Sequence, residues 1–262
     1  MEPGQANTRQ RGGNVRLAIA GGTGLTGSRI DAVARARGHE TVVLARSTGV
    51  ELLSGAGMRG VLEGVDAVID ATDVATAKPD VSVSFFAGVT KTLLAAERAA
   101  GVSHHLALTI VGADAAPDGY YAGKLVQERL VAAGSIPWTI LRTTQFHEYA
   151  ALLFHRGRAG AHVAPRGRVQ PIAVDEVAAH LVDLAEQAPA GRARDLGGPQ
   201  EESLADMIRR YARAIGFRGP IPLVSVPGTW GRALRTGALL PRPDARRGTQ
   251  TFTDWLDALP DA

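Results

Sequence analysis

An α/β fold, a doubly wound parallel sheet with a small C-terminal lobe, is predicted by three features of the sequence. The first is a short apolar run ending in regularly spaced glycines, VRLAIAGGTGLTG over residues 15–27, followed by the helical stretch SRIDAVARARG. The second is the alternation of β-branched runs with alanine-rich helical patterns through the first half of the chain. The third is size: 262 residues, 45% of them hydrophobic, suffice for one large domain or a domain plus a small lobe.

The glycine loop comes first in the chain. Gly21, Gly24 and Gly27 give GxxGxxG, and Gly22, Gly24 and Gly27 give GxGxxG. One glycine makes the turn at positive φ, where a Cβ would clash. The next lets the backbone approach phosphates, and the last lets the helix pack closely on the strand. The helix that follows presents free N–H groups and the positive end of its dipole to a pyrophosphate. Strand, loop and helix together predict a Rossmann-type dinucleotide site built from Gly21, Gly22, Thr23, Gly24, Leu25, Thr26 and Gly27. The bland alternative is a structural Gly-rich turn in a chain of 31 glycines.

The remaining elements follow in order. Residues 40–45 (ETVVLA) read as the second strand and 50–53 as a short third. Residues 57–64 suggest a short helix, and 65–71 (VDAVIDA) a buried strand. Helical periodicity covers 83–100 and 120–133, and strands are expected at 104–110 and 137–141. Such alternation implies right-handed crossovers, hence a parallel sheet with helices on both faces. Beyond Arg142 the pattern loosens: a strand at 169–172, a helix at 175–187 with Asp175 as N-cap, a strand at 194–198 and an amphipathic helix at 202–215. Pro220, Pro222, Pro227, Pro241 and Pro243 then break the chain repeatedly. The expected organisation is a loose tail at 1–14, a dinucleotide-binding core at 15–143, and a portion at 144–262 that completes the sheet and forms a substrate lobe.

Composition narrows the function. No run of eighteen apolar residues is present, so no membrane span is expected. Cysteine is absent, which excludes a disulfide framework or a thiolate site and fits a cytoplasmic protein; no metal site is expected. The net charge is +3. Its densest basic group, Arg156, Arg158, Arg166 and Arg168, lacks the sharp stripe and interleaved aromatics of a nucleic-acid binder, and a small anionic ligand accounts for the excess equally well.

Two sets of residues carry chemistry. In a dinucleotide fold the end of the second strand meets the adenosine ribose, where an acidic residue holds the 2′-OH of NAD and an Arg accommodates the 2′-phosphate of NADP. Here Arg46 stands at that place, with Ser47 beside it, which predicts NADP(H). The second set is Tyr120 and Lys124, four residues apart and so on one helix face. A phenol ionises near ~10, and a nearby cation lowers that value. Lys124 supplies such a cation and can hold the nicotinamide ribose. The pair can then move a proton at a carbonyl as hydride arrives. Only three of the 29 basic residues are lysine, which singles Lys124 out. An amphipathic helix with a core Tyr and a surface Lys is the alternative.

These residues together resemble the short-chain dehydrogenase/reductase superfamily. More narrowly, the chain is similar to its atypical NAD(P)H-binding, NmrA-like members. The resemblance runs from about residue 15 to 198 and rests on AGGTGLTG, LARS, GVDAVIDAT, YYAGKLVQERL, WTILRTTQFHEY and VQPIAVDEVA. It implies that Ala71, Thr72 and Thr143 join the cofactor site and that Thr109 takes the place of the superfamily's catalytic serine. It also implies a substrate pocket near Gln145, Phe146 and His147, whereas His104 and His105 open a strand and read as structural. Two features depart from the pattern. Classical members also use an asparagine, and this chain has only Asn7 and Asn14, both in the tail; the acidic residue many relatives place after the third strand is replaced by SGAG, with Ala56. Three readings follow: an NADP(H)-dependent oxidoreductase acting on a small carbonyl or alcohol, a non-catalytic NADP(H)-binding redox sensor or regulator, and a sugar-nucleotide epimerase.

Overall fold

The computed structural model describes residues 14–157 and 161–260, and the expected parallel sheet is present. Apart from Asn14, the tail expected at 1–14 lies outside the described residues, as does Arg158. β1 (Arg16–Ala20) leads into α1 (Leu25–Ala36), and β2 (Glu40–Leu44) returns beside β1. β3 (Ala67–Asp70) pairs with the other side of β1. The long helix α2 (Pro79–Ala100) begins on a proline and ends on Gly101 at φ 73°, the N-terminal Pro and C-terminal Gly asymmetry of a well-delimited helix. β4 (His104–Ile110), α3 (Tyr120–Ala133) and β5 (Trp138–Thr143) complete the alternating part.

The C-terminal part contributes short pieces. They are α4 (Tyr149–His155), β6 (Ala164–Pro165), β7 (Arg168–Val169), α5 (Val174–Ala185), β8 (Gly191–Arg192) and β9 (Leu196–Gly197). After them come β10 (Glu202–Ser203), α6 (Leu204–Ala214), β11 (Leu223–Val224), α7 (Gly228–Thr236), β12 (Arg246–Arg247) and α8 (Phe252–Asp257). The main sheet runs β12-β9-β5-β4-β3-β1-β2, with β8 also on β5, and its pairings are parallel. Strand order reverses at β1, and in open α/β sheets ligands bind at such a point, beyond the C-terminal ends of the strands, here β1 and β3.

Side chains alternate across the sheet with period two. Leu17, Ile19, Ile69 and Leu106 pack with Ile30 of α1 and Leu181 of α5 on one face. Ala18, Ala20 and Val68 pack with Val89 and Leu93 of α2 on the other. A separate cluster, with Met207, Ile208, Leu234 and Phe252 fully buried, joins α6, α7 and α8 to the start of α3.

Four expectations are corrected. Residues 50–53 form no strand of the sheet; Glu51 makes only an isolated bridge to Ala56. Residues 57–64 form turns rather than a helix, because Gly57, Gly60 and Gly64 all take positive φ. The strand at 169–172 shrinks to β7 and pairs antiparallel with β10 outside the main sheet, since Pro171 has no N–H to donate. Helix α5 starts one residue before Asp175, with Ala173 as N-cap and Asp175 in the first turn, where it favours the helix dipole instead.

Candidate active site

The glycine loop has the shape of a phosphate cradle. Gly21 takes φ 75°, and a Cβ there would fall 3.0 Å from the Ala71 carbonyl oxygen. A Cβ on Gly27 would collide with the Gly21 carbonyl and lie 2.6 Å from Gly22 Cα, so α1 packs onto the loop only without a side chain at Gly27. Gly22 is squeezed by Val43 of β2. Gly24 caps α1 with extended backbone; no side chain caps the helix and no acidic residue stands in its first turn. Thr23, Gly24 and Leu25 are exposed and Thr26 is buried. An uncapped, exposed helix start at the reversal point of the sheet fits a dinucleotide pyrophosphate.

Arg46 opens a short 3-10 turn directly after β2. Thr48 holds that turn, its hydroxyl accepting from Ala45 N–H at 3.1 Å and donating to the Val43 carbonyl at 2.8 Å. Arg46 and Ser47 are exposed. On the other side of β1, Ala71 N–H donates to Ala20. Thr72 donates its N–H and hydroxyl to Asp70 Oδ1 at 3.0 and 2.6 Å.

Tyr120 and Lys124 are brought together on α3, and both pack on one ring. The Tyr120 ring meets Phe86 edge-on at 5.6 Å, and Lys124 Nζ lies 4.2 Å from the centre of the same ring. Gly123 makes this possible, since a Cβ there would fall 2.6 Å from the Phe86 ring. Ser82 of α2 fixes the start of α3 by donating to the Tyr120 carbonyl at 2.9 Å.

Their electrostatics differ from expectation. Tyr120 is pushed well above the ordinary phenol value by burial and then by Asp73, rather than lowered by Lys124. The Lys124 ammonium is buried and donates to the Leu108 carbonyl at 2.9 Å, Gln127 Oε1 at 3.0 Å and the Thr72 carbonyl at 3.3 Å. Its three protons are therefore held by protein, where the sequence suggested a ribose partner. Burial pulls its pKa down, and Asp70, Asp73 and Glu128 oppose the shift.

Thr109 is not directed toward Tyr120. Its hydroxyl donates to the buried Glu128 carboxylate at 2.7 Å. Glu128 also holds Arg142 through two 2.8 Å contacts and Arg192 at 2.8 Å. His104 and His105 are structural as expected: His104 pairs with Thr139 and His105 with the buried Glu97, each at 2.8 Å.

The segment after β5 is buried. Thr143 is 2% exposed. Gln145 Nε2 donates to the Tyr121 hydroxyl at 3.0 Å, and Tyr121 is pushed up to about 12 by burial, against hydrogen bonds from Gln145 and Trp230. Phe146 packs against the main core beside Ile172. His147 is fully buried, near Phe252 and Trp255, and burial lowers its pKa. Residues that sequence reasoning passed over are Asp70, Asp73, Phe86, Tyr121 and Gln127. One signal was available: Asp70 is an ionisable residue inside the apolar run VDAVIDA, a position that demands a partner.

No protein-family model matches the chain, and no curated protein matches it. Solved structures do resemble it. A nucleoside-diphosphate-sugar epimerase from Pseudomonas aeruginosa is 21% identical, with a TM-score of 0.69 over 93% of this chain and 95% of that one. A NAD-dependent NDP-hexosamine 5,6-dehydratase involved in tunicamycin biosynthesis is 17% identical, also at 0.69, covering 93% and 96%. A third protein, solved in complex with UDP-glucuronic acid and NAD, is 16% identical with a TM-score of 0.65, covering 94% and 97%. The likeness spans nearly the whole of each chain and establishes the fold as the Rossmann-like α/β architecture of these structures.

Proposed function

We propose that the protein is an NADP(H)-binding oxidoreductase of the short-chain dehydrogenase/reductase type, acting on a small carbonyl or alcohol substrate. The carrying observation is the Gly21 to Gly27 cradle at the strand-order reversal, whose close packing no side chain at Gly27 would permit. The NmrA-like resemblance of the segments after β5 is our reading of the subgroup. Arg46, exposed after β2 in place of a carboxylate, supports NADP(H) over NAD(H). Residues 15–143 would hold the cofactor and 144–262 cover the substrate.

When bound, the cofactor supplies or accepts a hydride. Gly21 to Gly27 would hold its pyrophosphate, Arg46 and Ser47 the adenosine end, and Ala71, Thr72 and Thr143 the crevice floor. Tyr120, kept protonated by burial and Asp73, is suited to give a proton to a carbonyl oxygen, so carbonyl reduction is the favoured direction at neutral pH. Lys124 lies on the same Phe86 ring, its ammonium held by the Thr72 and Leu108 carbonyls and Gln127. Thr109, engaged by Glu128, holds α3 in place rather than orienting substrate.

The test is NADPH-dependent turnover across a carbonyl panel with wild type and Tyr120→Phe. Loss of about 10²–10⁴-fold in the variant is expected. Unchanged turnover removes the proposed acid. Tight NADPH binding without any turnover overturns catalysis in favour of the sensor reading.

A specific feature supports a second reading, a sugar-nucleotide substrate. A cleft of about 500 Å³ at β7, β10 and the start of α6 is lined by Arg166, Arg168, Arg209 and Arg235, with Glu201, Glu202 and Asp206 among them. Glu201 occupies Arg168 in this state. Guanidinium groups suit a diphosphate, and the protein solved with UDP-glucuronic acid and NAD shares the fold. Turnover of UDP-sugars with no activity on simple carbonyls selects this reading.

A further inference from the structure

Lys124 is one end of a chain of buried polar groups that its proposed role does not explain. Gln127, one turn along α3, accepts from Lys124 Nζ at 3.0 Å through Oε1 and donates through Nε2 to Asp70 Oδ2 at 2.7 Å. The amide is thus oriented at both ends. Asp70 is fully buried at the end of β3, and its other oxygen accepts from Thr72 N–H and hydroxyl. Lys124 in turn binds the carbonyls of Thr72 and Leu108, so one ammonium ties α3 to the ends of β3 and β4.

We propose that Asp70 and Gln127 are positioning residues for Lys124: Asp70 acts through the Gln127 amide to fix the ammonium between the ends of β3 and β4, beside Tyr120. The inference deepens the reading of Lys124 given above and rests on it for its catalytic meaning. A buried ammonium is costly unless it is paired and hydrogen-bonded. Gln127 alone supplies a neutral acceptor; only with Asp70 behind it does the chain carry compensating charge. Other charged groups face the same place. Asp73 after β3 and Glu128 on α3 act on Lys124 directly, and His105, paired with Glu97 of α2, acts on Asp70 from behind. Glu128 is neutralised by Arg142 and Arg192, and Asp73 is exposed, so Asp70 is the fully buried countercharge.

The chain holds three lysines, Lys78, Lys91 and Lys124, and the first two are exposed. Full-length protein labelled with ¹³C,¹⁵N-lysine therefore reports Lys124 by NMR as the outlying side-chain signal. In wild type, Lys124 should titrate below the other two. Asp70→Asn should move that titration down by about one pH unit or more, a tenfold or greater change in proton affinity. Gln127→Met, which keeps the volume and breaks both links, should move it down by a smaller amount. The alkaline limb of the pH–rate profile should move with it, and Asp70→Glu should restore part of both shifts. Variants that stay folded with an unmoved Lys124 titration overturn the proposal; if Asp70→Asn does not fold, Gln127→Met decides it. The titration is read on the protein alone, so absence of NADPH turnover would defeat the proposed reaction without touching this result.

Discussion

The Thr109 hydroxyl donates to the Glu128 carboxylate at 2.7 Å, inside a cluster where that one fully buried acid also holds Arg142 and Arg192. Hydrogen bonds from Arg142, Arg192 and Thr109 outweigh burial and keep Glu128 below its ordinary value of 4.5. A carboxylate depressed in the folded state contributes stability above its unfolded pKa and loses it as pH falls through the folded value. Glu128→Gln should cost about 3 kcal/mol at neutral pH, because Arg142 loses its buried carboxylate partner and keeps only the exposed Asp114 at 3.0 Å. The gap to wild type should narrow in acid, and denaturant unfolding at several pH values checks this. An equal gap in acid and at neutrality would contradict it.

Gly27→Ala should disturb the loop and α1 together. The added methyl meets the Gly21 carbonyl and Gly22 Cα, backbone atoms that cannot swing away. NADPH affinity should fall by roughly tenfold or more, with about 1–3 kcal/mol of stability lost to overpacking. Calorimetric titration and thermal melting read the two effects.

Arg46→Ala should act on cofactor choice alone. The side chain is exposed, so the melting temperature should stay near that of wild type. The NADPH preference should fall by about tenfold or more, as a charge-assisted contact of roughly 1.5–3 kcal/mol is lost. Equal affinity for NADPH and NADH in wild type, unchanged in the variant, would refute the role given to Arg46.

Carbonyl reduction should not weaken between about pH 6 and 8, because a phenol raised above 10 stays protonated throughout. A rate that falls across that interval and keeps its shape in Tyr120→Phe would assign the proton to another group.

The alternating half was legible because its signals are local. β-branched runs, glycine punctuation and helical periodicity located β1 to β5 and α1 to α3 within a few residues. Residues 57–64 misled because three positive-φ glycines break what composition alone reads as a helix. The proposed site was half legible. Spacing put Tyr120 and Lys124 on one face, but their environments depend on partners far away in sequence: Asp70 is 57 residues from Gln127, and Thr72 is 52 from Lys124. The partner of Thr109 is hidden from the sequence for the same reason. A hydroxyl in a strand says nothing about which helix will lie over it, and here that helix brings Glu128.

The central claim is that the Gly21 to Gly27 cradle holds NADP(H). Isothermal titration of the purified protein with NADPH and NADH tests it most directly. One site per chain with NADPH bound more tightly than NADH is the predicted result; no binding of either nucleotide by folded protein would contradict it.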